Sequence, residues 1–277
     1  MYRLAKLGFS QSYTYFTWRE SKRDFTEYLT ELTQTEVREF YRPNFFVNTP
    51  DINPRHLQTG ARSSFLIRAA LAAMLSGLWG VYCGFELCES RALPNSEEYL
   101  DSEKYQIRAW DWHRPGNIVA EIAALNRIRR ANPALHTHLG ITFLDARNDA
   151  LLCFEKATPA RDNVLVVAIN LDAFNEQGAD FDLSWATFQR WHLDDHATLG
   201  VVDEMTGERF QWHGRWQHVR LDPHTRPFAI WRIEPVHGLP REEPLPEQAN
   251  EYANGPADVH IEGHPELDED FPSGGAT

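Results

Sequence analysis

From Phe65 to Phe85 the chain runs for twenty-one residues with a single charge, Arg68. A stretch this apolar must be buried on every side or lie in a membrane, and either outcome dictates what the neighbouring chain has to provide. Four alanines, the arginine inside the run, and Gly77 and Gly80 around Trp79 argue against a span. The run divides better into a buried helix from about Ser63 to Leu78 and a buried strand from Val81 to Phe85.

Upstream, the pattern is one of alternating helix and strand. Leu4, Leu7 and Phe9 share one face of a short helix that Gly8 can close. Ser12 to Trp18, rich in aromatic and β-branched residues, reads as a strand. Phe25, Tyr28, Leu29 and Leu32 fall at i, i+3, i+4 and i+7, the stripe of an amphipathic helix over Asp24–Thr33. Phe45, Phe46 and Val47 read as a short buried strand that must end at or before Pro50, which has no N–H for a sheet ladder. Downstream of the apolar run, Ile118, Ile122, Leu125 and Ile128 mark a helix with a basic last turn that stops at Pro133. Strand followed by helix, repeated, is the pattern of parallel βα units.

Beyond Leu139 the period shortens to two. Leu151–Lys156, Val164–Asn170, His196–Val202, Gln217–Leu221 and Pro227–Ile233 are strand candidates separated by Asn, Asp, Gly and Pro turns, which predicts an antiparallel β-sandwich. The net charge of −13 is unevenly spread, because residues 235–277 hold ten carboxylates against one arginine. That tail, with few large apolar groups and no periodicity, is expected to be disordered. The remainder is close to neutral and shows no basic patch interleaved with aromatics, so nucleic acid is not an expected partner. Three cysteines make neither a disulfide framework nor a metal quartet, and the N-terminus has no long apolar core or cleavage signature. A reducing, cytoplasmic location is expected, without cofactor or metal.

Asp51 is the first candidate for chemistry. It stands in a polar turn, Asn48-Thr49-Pro50-Asp51, at the C-terminal end of a buried strand, where catalytic groups gather in α/β barrels. An Asp beside a proline serves equally well as a turn former or helix N-cap. Three parallel strands, near residues 13, 46 and 83, neither close a barrel nor make a covered open sheet, so the N-terminal half reads as part of a larger object.

Four phrases carry a resemblance: Ser10-Gln-Ser-Tyr-Thr-Tyr-Phe-Thr-Trp-Arg19, Arg42-Pro-Asn-Phe-Phe-Val-Asn-Thr-Pro-Asp-Ile52, Phe85-Glu-Leu-Cys-Glu89 and Tyr99-Leu-Asp-Ser-Glu-Lys-Tyr-Gln-Ile-Arg108. Over residues 1 to about 234 the chain resembles the α-1,4-glucan:maltose-1-phosphate maltosyltransferases of the α-amylase superfamily. The resemblance implies the last three βα units of a (β/α)8 TIM barrel over residues 1–138, a β-sandwich C-terminal domain over 139–234, and the acidic tail from 235. It implies a retaining transfer of maltosyl from α-maltose-1-phosphate to the non-reducing end of an α-1,4-glucan, with release of phosphate.

Such a transfer needs a carboxylate nucleophile and a carboxyl group that protonates the departing phosphate. By resemblance both sit on the fourth and fifth barrel strands, ahead of residue 1, so this chain alone is expected to be inactive. Asp51 matches a third carboxylate, which holds sugar hydroxyls and steadies the oxocarbenium-like transition state. Lys104 and Tyr105 match a pair that contacts the maltose-phosphate substrate; an ammonium suits a phosphate, and a phenol both packs on and hydrogen-bonds a sugar. A solvated lysine and a loop-anchoring tyrosine are the structural alternatives. The partners implied are the two substrates, the rest of the barrel and a second copy of the subunit, since the family is typically dimeric.

Other signals carry less. Glu86 and Glu89 follow an expected strand, but read as readily as ion-pair partners or caps as they do a catalytic pair. His192 and His196 stand four apart in the β-rich half and lack the glutamate of a zinc-protease helix. A non-catalytic module that binds glucan or a protein partner through the sandwich and its tryptophans is the competing reading. The two differ in whether barrel strands bearing the missing carboxylates accompany this segment.

Overall fold

In the computed structural model, residues 1–102 and 107–236 are described. The chain opens with a short helix, α1 (Tyr2–Lys6). Its expected apolar face is turned outward: Leu4, Leu7 and Phe9 are 51%, 79% and 58% exposed. The helix docks instead through Ala5 and through the Tyr2 ring, edge-on to Tyr41 at 4.9 Å. Five residues make too short a helix for a stripe to decide its orientation, and one aromatic contact is enough.

Strand β1 is only Ser12–Tyr13, where a strand through Trp18 was expected. The backbone instead turns into one 3-10 helical turn over Tyr15–Trp18, capped by the Thr14 hydroxyl, which accepts from the Phe16 N–H. Local side-chain capping beats β propensity here, and it swings Phe16 inward to stack on Phe45 at 4.3 Å. Helix α2 (Lys22–Gln34) begins at a Ser21/Asp24 capping box and buries Phe25, Tyr28, Leu29 and Leu32 as its stripe predicts. A short α3 (Val37–Phe40) leads into β2 (Pro43–Phe46), then α4 (Arg55–Gln58) and α5 (Arg62–Leu75).

Every residue of α5 from Ser63 to Leu75 is buried, as its composition requires. The helix ends three residues before the expected Leu78, because the Ser76 hydroxyl donates to the Pro43 carbonyl and accepts from the Leu78 N–H. Strand β3 is therefore Leu78–Gly80, not Val81–Phe85. It pairs in parallel with β2, with Phe45 opposite Trp79 and Phe46 opposite Gly80. Gly80 is needed at that position, since a Cβ there would sit 2.4 Å from the Phe46 ring. Residues 81–84 run on as loop, and Phe85–Leu87 form a second 3-10 turn. The parallel sheet has the order β1-β2-β3. Helix α6 (Val119–Ala131) packs beside α5, and its Arg129 donates to the Ser76 and Gly77 carbonyls at 2.6 and 2.7 Å, closing the C-terminal end of α5.

The antiparallel half comprises β4 (Ile141–Leu144), β5 (Leu151–Ala157), β6 (Val164–Asn170), β7 (Gln177–Asp182), α7 (Trp185–Arg190), β8 (Thr198–Asp203), β9 (Arg209–His213), β10 (Trp216–Leu221) and β11 (Phe228–Pro235). Six strands form one sheet, β4-β5-β6-β11-β8-β9, and β7 pairs with β10 in a second. The five expected strands are present within two residues at each end; β4, β7, β9 and α7 were not foreseen.

Alternation along the central strands sorts the two faces. Leu152, Phe154, Leu165, Val167, Ile169, Phe228 and Ile230 join α2 and α5 in one core. Cys153, Val166, Ala168, Ala229 and Ile233 join Phe181, Val219 and Phe188 in the other. A sheet covered on both faces explains why β6 reads Val-Leu-Val-Val-Ala-Ile without polar alternation. Each buried valine, leucine, isoleucine or phenylalanine among them contributes about 1.5–3 kcal/mol. The described residues fall within a single unit of internal contacts, and none of their helices is long and apolar enough to cross a membrane. The acidic segment expected to be disordered lies outside the described residues.

Candidate functional site

The parallel strands aim their C-terminal ends at one turn. Past β2, Val47 still donates to the Gly80 carbonyl at 3.0 Å, and Asn48, fully buried, closes the strand end. The Asn48 amide donates to the Tyr99 hydroxyl at 2.8 Å, and its carbonyl oxygen accepts from the Tyr82 N–H at 3.0 Å. A side chain tied at both ends fixes where the chain leaves the sheet. Burial pushes the Tyr99 phenol up, so it stays protonated as partner to Asn48.

The turn itself is closed by reciprocal backbone bonds between Thr49 and Ile52 at 3.0 and 3.1 Å. Asp51 stands at its tip, exposed, with its Oδ1 accepting from the Thr49 hydroxyl at 2.9 Å. It caps no helix: α4 starts at Arg55 after Pro54, with no side-chain cap. The carboxylate is thus held in a turn closed by backbone bonds and faces solvent.

A loop from Glu86 to Ser102 folds against this turn. The Asn53 amide donates to the Ser90 carbonyl at 2.9 Å, and Gln58 bridges the Asn53 and Ser96 carbonyls at 2.8 and 3.1 Å. Glu97 accepts from the Trp18 indole at 2.9 Å, joining the loop to the turn after β1. The Tyr82 hydroxyl donates to the Ser102 carbonyl. Lys104 and Tyr105 lie outside the described residues, but both flanks are anchored: Ser102 by Tyr82, and Arg108 by Glu89 and by the Trp110 ring at 4.0 Å.

Glu86 and Glu89 do not form a catalytic pair. Glu86 accepts from the Gly84 N–H at 3.1 Å, a local cap. Glu89, 4% exposed, accepts from the Arg91 backbone and side chain at 3.0 Å and from Arg108 at 2.9 Å. Burial pushes this carboxyl up, but the hydrogen bonds from Arg91 and Arg108 and their charge prevail and hold it at about 2. A carboxylate so depressed donates no proton near neutrality; it organises the loop.

Because the folded-state value lies below the unfolded one, this contribution to stability is complete above about pH 4.5 and is lost as pH falls toward 2. Glu89→Gln is expected to flatten the acid limb of a stability-versus-pH curve measured by urea unfolding. An unchanged acid limb would assign it to other carboxylates.

Sequence reasoning singled out Asp51 and allowed Glu89 as an ion-pair partner, but missed Asn48, Tyr82 and Tyr99 and the identity of Arg91 and Arg108 as the partners of Glu89. The readable signal was Asn48 at the strand end: an asparagine at a position that must be buried needs partners for every polar atom.

Residues 143–233 match the family described as "GLGE, C-terminal". The chain is 65% identical to an α-1,4-glucan:maltose-1-phosphate maltosyltransferase of Burkholderia pseudomallei, over 87% of this chain and 21% of that protein. It is 58% identical to a protein of the same name from Pseudomonas aeruginosa, over 85% of this chain and 35% of that one. It therefore spans about a fifth to a third of the curated relatives' length. Among solved structures it resembles an α-amylase of Geobacillus thermoleovorans bound to acarbose, with TM-score 0.55 and 14% identity over 80% of this chain and 45% of that one. An Anoxybacillus α-amylase gives the same TM-score at 15% identity over 86% of this chain and 46% of that one. These two likenesses concern the fold alone.

Proposed function

We infer that this chain, which belongs to the α-1,4-glucan:maltose-1-phosphate maltosyltransferase family, supplies the transition-state-stabilising carboxylate, Asp51, of a retaining maltosyl transfer. The observation that carries this reading is a solvent-facing carboxylate on a turn closed by backbone bonds at the C-terminal end of a parallel strand. In an oxocarbenium-like transition state, positive charge develops on the donor sugar, and a fixed carboxylate beside it is stabilising while also gripping ring hydroxyls.

In this reading β1, β2 and β3 are the last three strands of a (β/α)8 barrel, residues 1–138 complete that barrel, and 139–234 are the β-sandwich domain that follows. The nucleophile and general acid reside on the fourth and fifth barrel strands, outside this chain. Maltosyl passes from α-maltose-1-phosphate to the nucleophile with protonation of the leaving phosphate, and then to the 4-hydroxyl of an α-1,4-glucan terminus. Lys104 and Tyr105 contact the donor, on a segment whose flanks Tyr82 and Glu89 tie down. The enzyme works in the cytoplasm as a homodimer.

The test is release of inorganic phosphate from α-maltose-1-phosphate with a maltooligosaccharide acceptor. A protein joining this segment to its barrel strands is expected to turn over, and the 277-residue chain alone to release none. Turnover by the chain alone would mean that the catalytic pair lies within it and that Asp51 has been given the wrong role.

A further inference from the structure

Two phenols meet behind the Asp51 turn and hold different things. The Tyr82 and Tyr99 rings lie side by side, centroids 5.7 Å apart, and both residues bond to the fully buried Asn48. Tyr82 does so through its backbone N–H, which leaves its hydroxyl to reach the other way and donate to the Ser102 carbonyl. Ser102 is 7% exposed and stands two residues ahead of Lys104. Tyr99 is tied in the opposite sense. Its hydroxyl accepts from the Asn48 amide at 2.8 Å, three residues before Asp51, and its backbone N–H donates to the Pro50 carbonyl at 3.4 Å.

The two hydroxyls are therefore separable handles on one hydrogen-bonded hub. Without the Tyr82 hydroxyl, the Tyr82 N–H still meets Asn48 and the ring still lies beside Tyr99, so the turn keeps its supports while Ser102 loses one. Without the Tyr99 hydroxyl, the buried Asn48 amide loses that acceptor, while the Tyr82–Ser102 bond stays. An amide group left short of a partner inside the protein is costly, and the turn relaxes to relieve it.

We propose that Tyr82 and Tyr99 are positioning residues for maltosyl transfer, Tyr82 setting the segment that carries Lys104 and Tyr105 and Tyr99 setting the turn that carries Asp51. The link to transfer rests on the function proposed above; the separation of the two hydroxyls rests on the hydrogen bonds alone. A segment that contacts the donor before and during reaction acts on KM, whereas a carboxylate that meets charge developed only in the transition state acts on kcat.

The experiment joins this chain to its barrel strands and follows phosphate release. Tyr82→Phe is expected to raise KM for α-maltose-1-phosphate about 3- to 10-fold, the range one lost hydrogen bond spans, with kcat within about twofold. Tyr99→Phe should instead lower kcat by about 3- to 10-fold with KM within about twofold. Tyrosines with a merely structural role would lower the unfolding midpoint and move kcat and KM together, and that result would overturn the proposal. Hydrogen exchange on the 277-residue chain reads the same separation without turnover. Tyr82→Phe should speed exchange in peptides spanning Leu100–Arg108 and spare those spanning Thr49–Ile52; Tyr99→Phe should do the reverse. Both variants speeding both regions would also overturn it. A joined wild-type protein that releases no phosphate would sink the transfer reading, and the exchange pattern would still decide whether the two hydroxyls act separately.

Discussion

Replacing Asp51 by asparagine is expected to lower maltosyl transfer about 100- to 1,000-fold, in a protein that joins this segment to the strands bearing the nucleophile and acid. The substitution removes one negative charge and little else. Asp51 is exposed, and its one side-chain contact in the turn is a bond accepted from the Thr49 hydroxyl at 2.9 Å. The asparagine carbonyl can accept the same bond, and the backbone bonds between Thr49 and Ile52 do not involve the side chain. Stability should therefore change by less than about 0.5 kcal/mol, the usual limit for a surface substitution.

The loss should appear in kcat more than in KM, because a charge developed only in the transition state is what the carboxylate meets. Steady-state phosphate release and urea unfolding on the same preparation separate the possibilities. Near-normal turnover would make Asp51 a turn residue; lost turnover with lost stability would make it a structural one.

How far the sequence anticipated this depended on whether a signal was local or shared. The stripe on α2 and the apolar run of α5 are complete in themselves, and both helices form there, although α5 stops three residues short of the expected end. Strand β3 was misplaced because the decisive interactions come from elsewhere. The Ser76 hydroxyl bonds to Pro43, and Gly80 is needed only because the Phe46 ring lies across it. No window around Val81–Phe85 contains that information.

Strand β7, Gln-Gly-Ala-Asp-Phe-Asp, carries only a short alternation, with Ala179 and Phe181 inward and Asp180 and Asp182 between and after them; Phe181 is its one fully buried side chain, and its pairing is with the distant β10. The same division holds at the site. Asp51 was visible as a carboxylate after a strand and Glu89 as one suited to an ion pair, but only the fold brings Arg91 and Arg108 to Glu89.

The second large effect comes from a cation that the sequence reading did not single out. Arg161 lies in the turn between β5 and β6, where a sequence reading finds only a loop arginine. Its guanidinium meets Glu155, which is 0% exposed, and the Thr187 hydroxyl of α7, which itself donates to Glu155 at 2.7 Å. Burial raises the Glu155 carboxyl, and Arg161 and Thr187 oppose the rise. Arg161→Ala leaves a buried carboxylate without its counter-charge and is expected to cost about 3–5 kcal/mol at pH 8.

The sign of the pH dependence follows from the same cause. With Arg161 gone the folded-state value climbs further above the unfolded one, so the folded chain binds the extra proton. The penalty is then full above the folded value and shrinks as pH falls toward the unfolded value of about 4.3. Urea unfolding of variant and wild type at pH 8 and pH 5.5 should show the gap between them narrowing at the lower pH. A gap of equal size at both would point to lost packing, not an uncompensated charge, as the origin. The double variant Glu155→Gln, Arg161→Met supplies the complement: without a buried charge it should recover most of the loss and show no such narrowing.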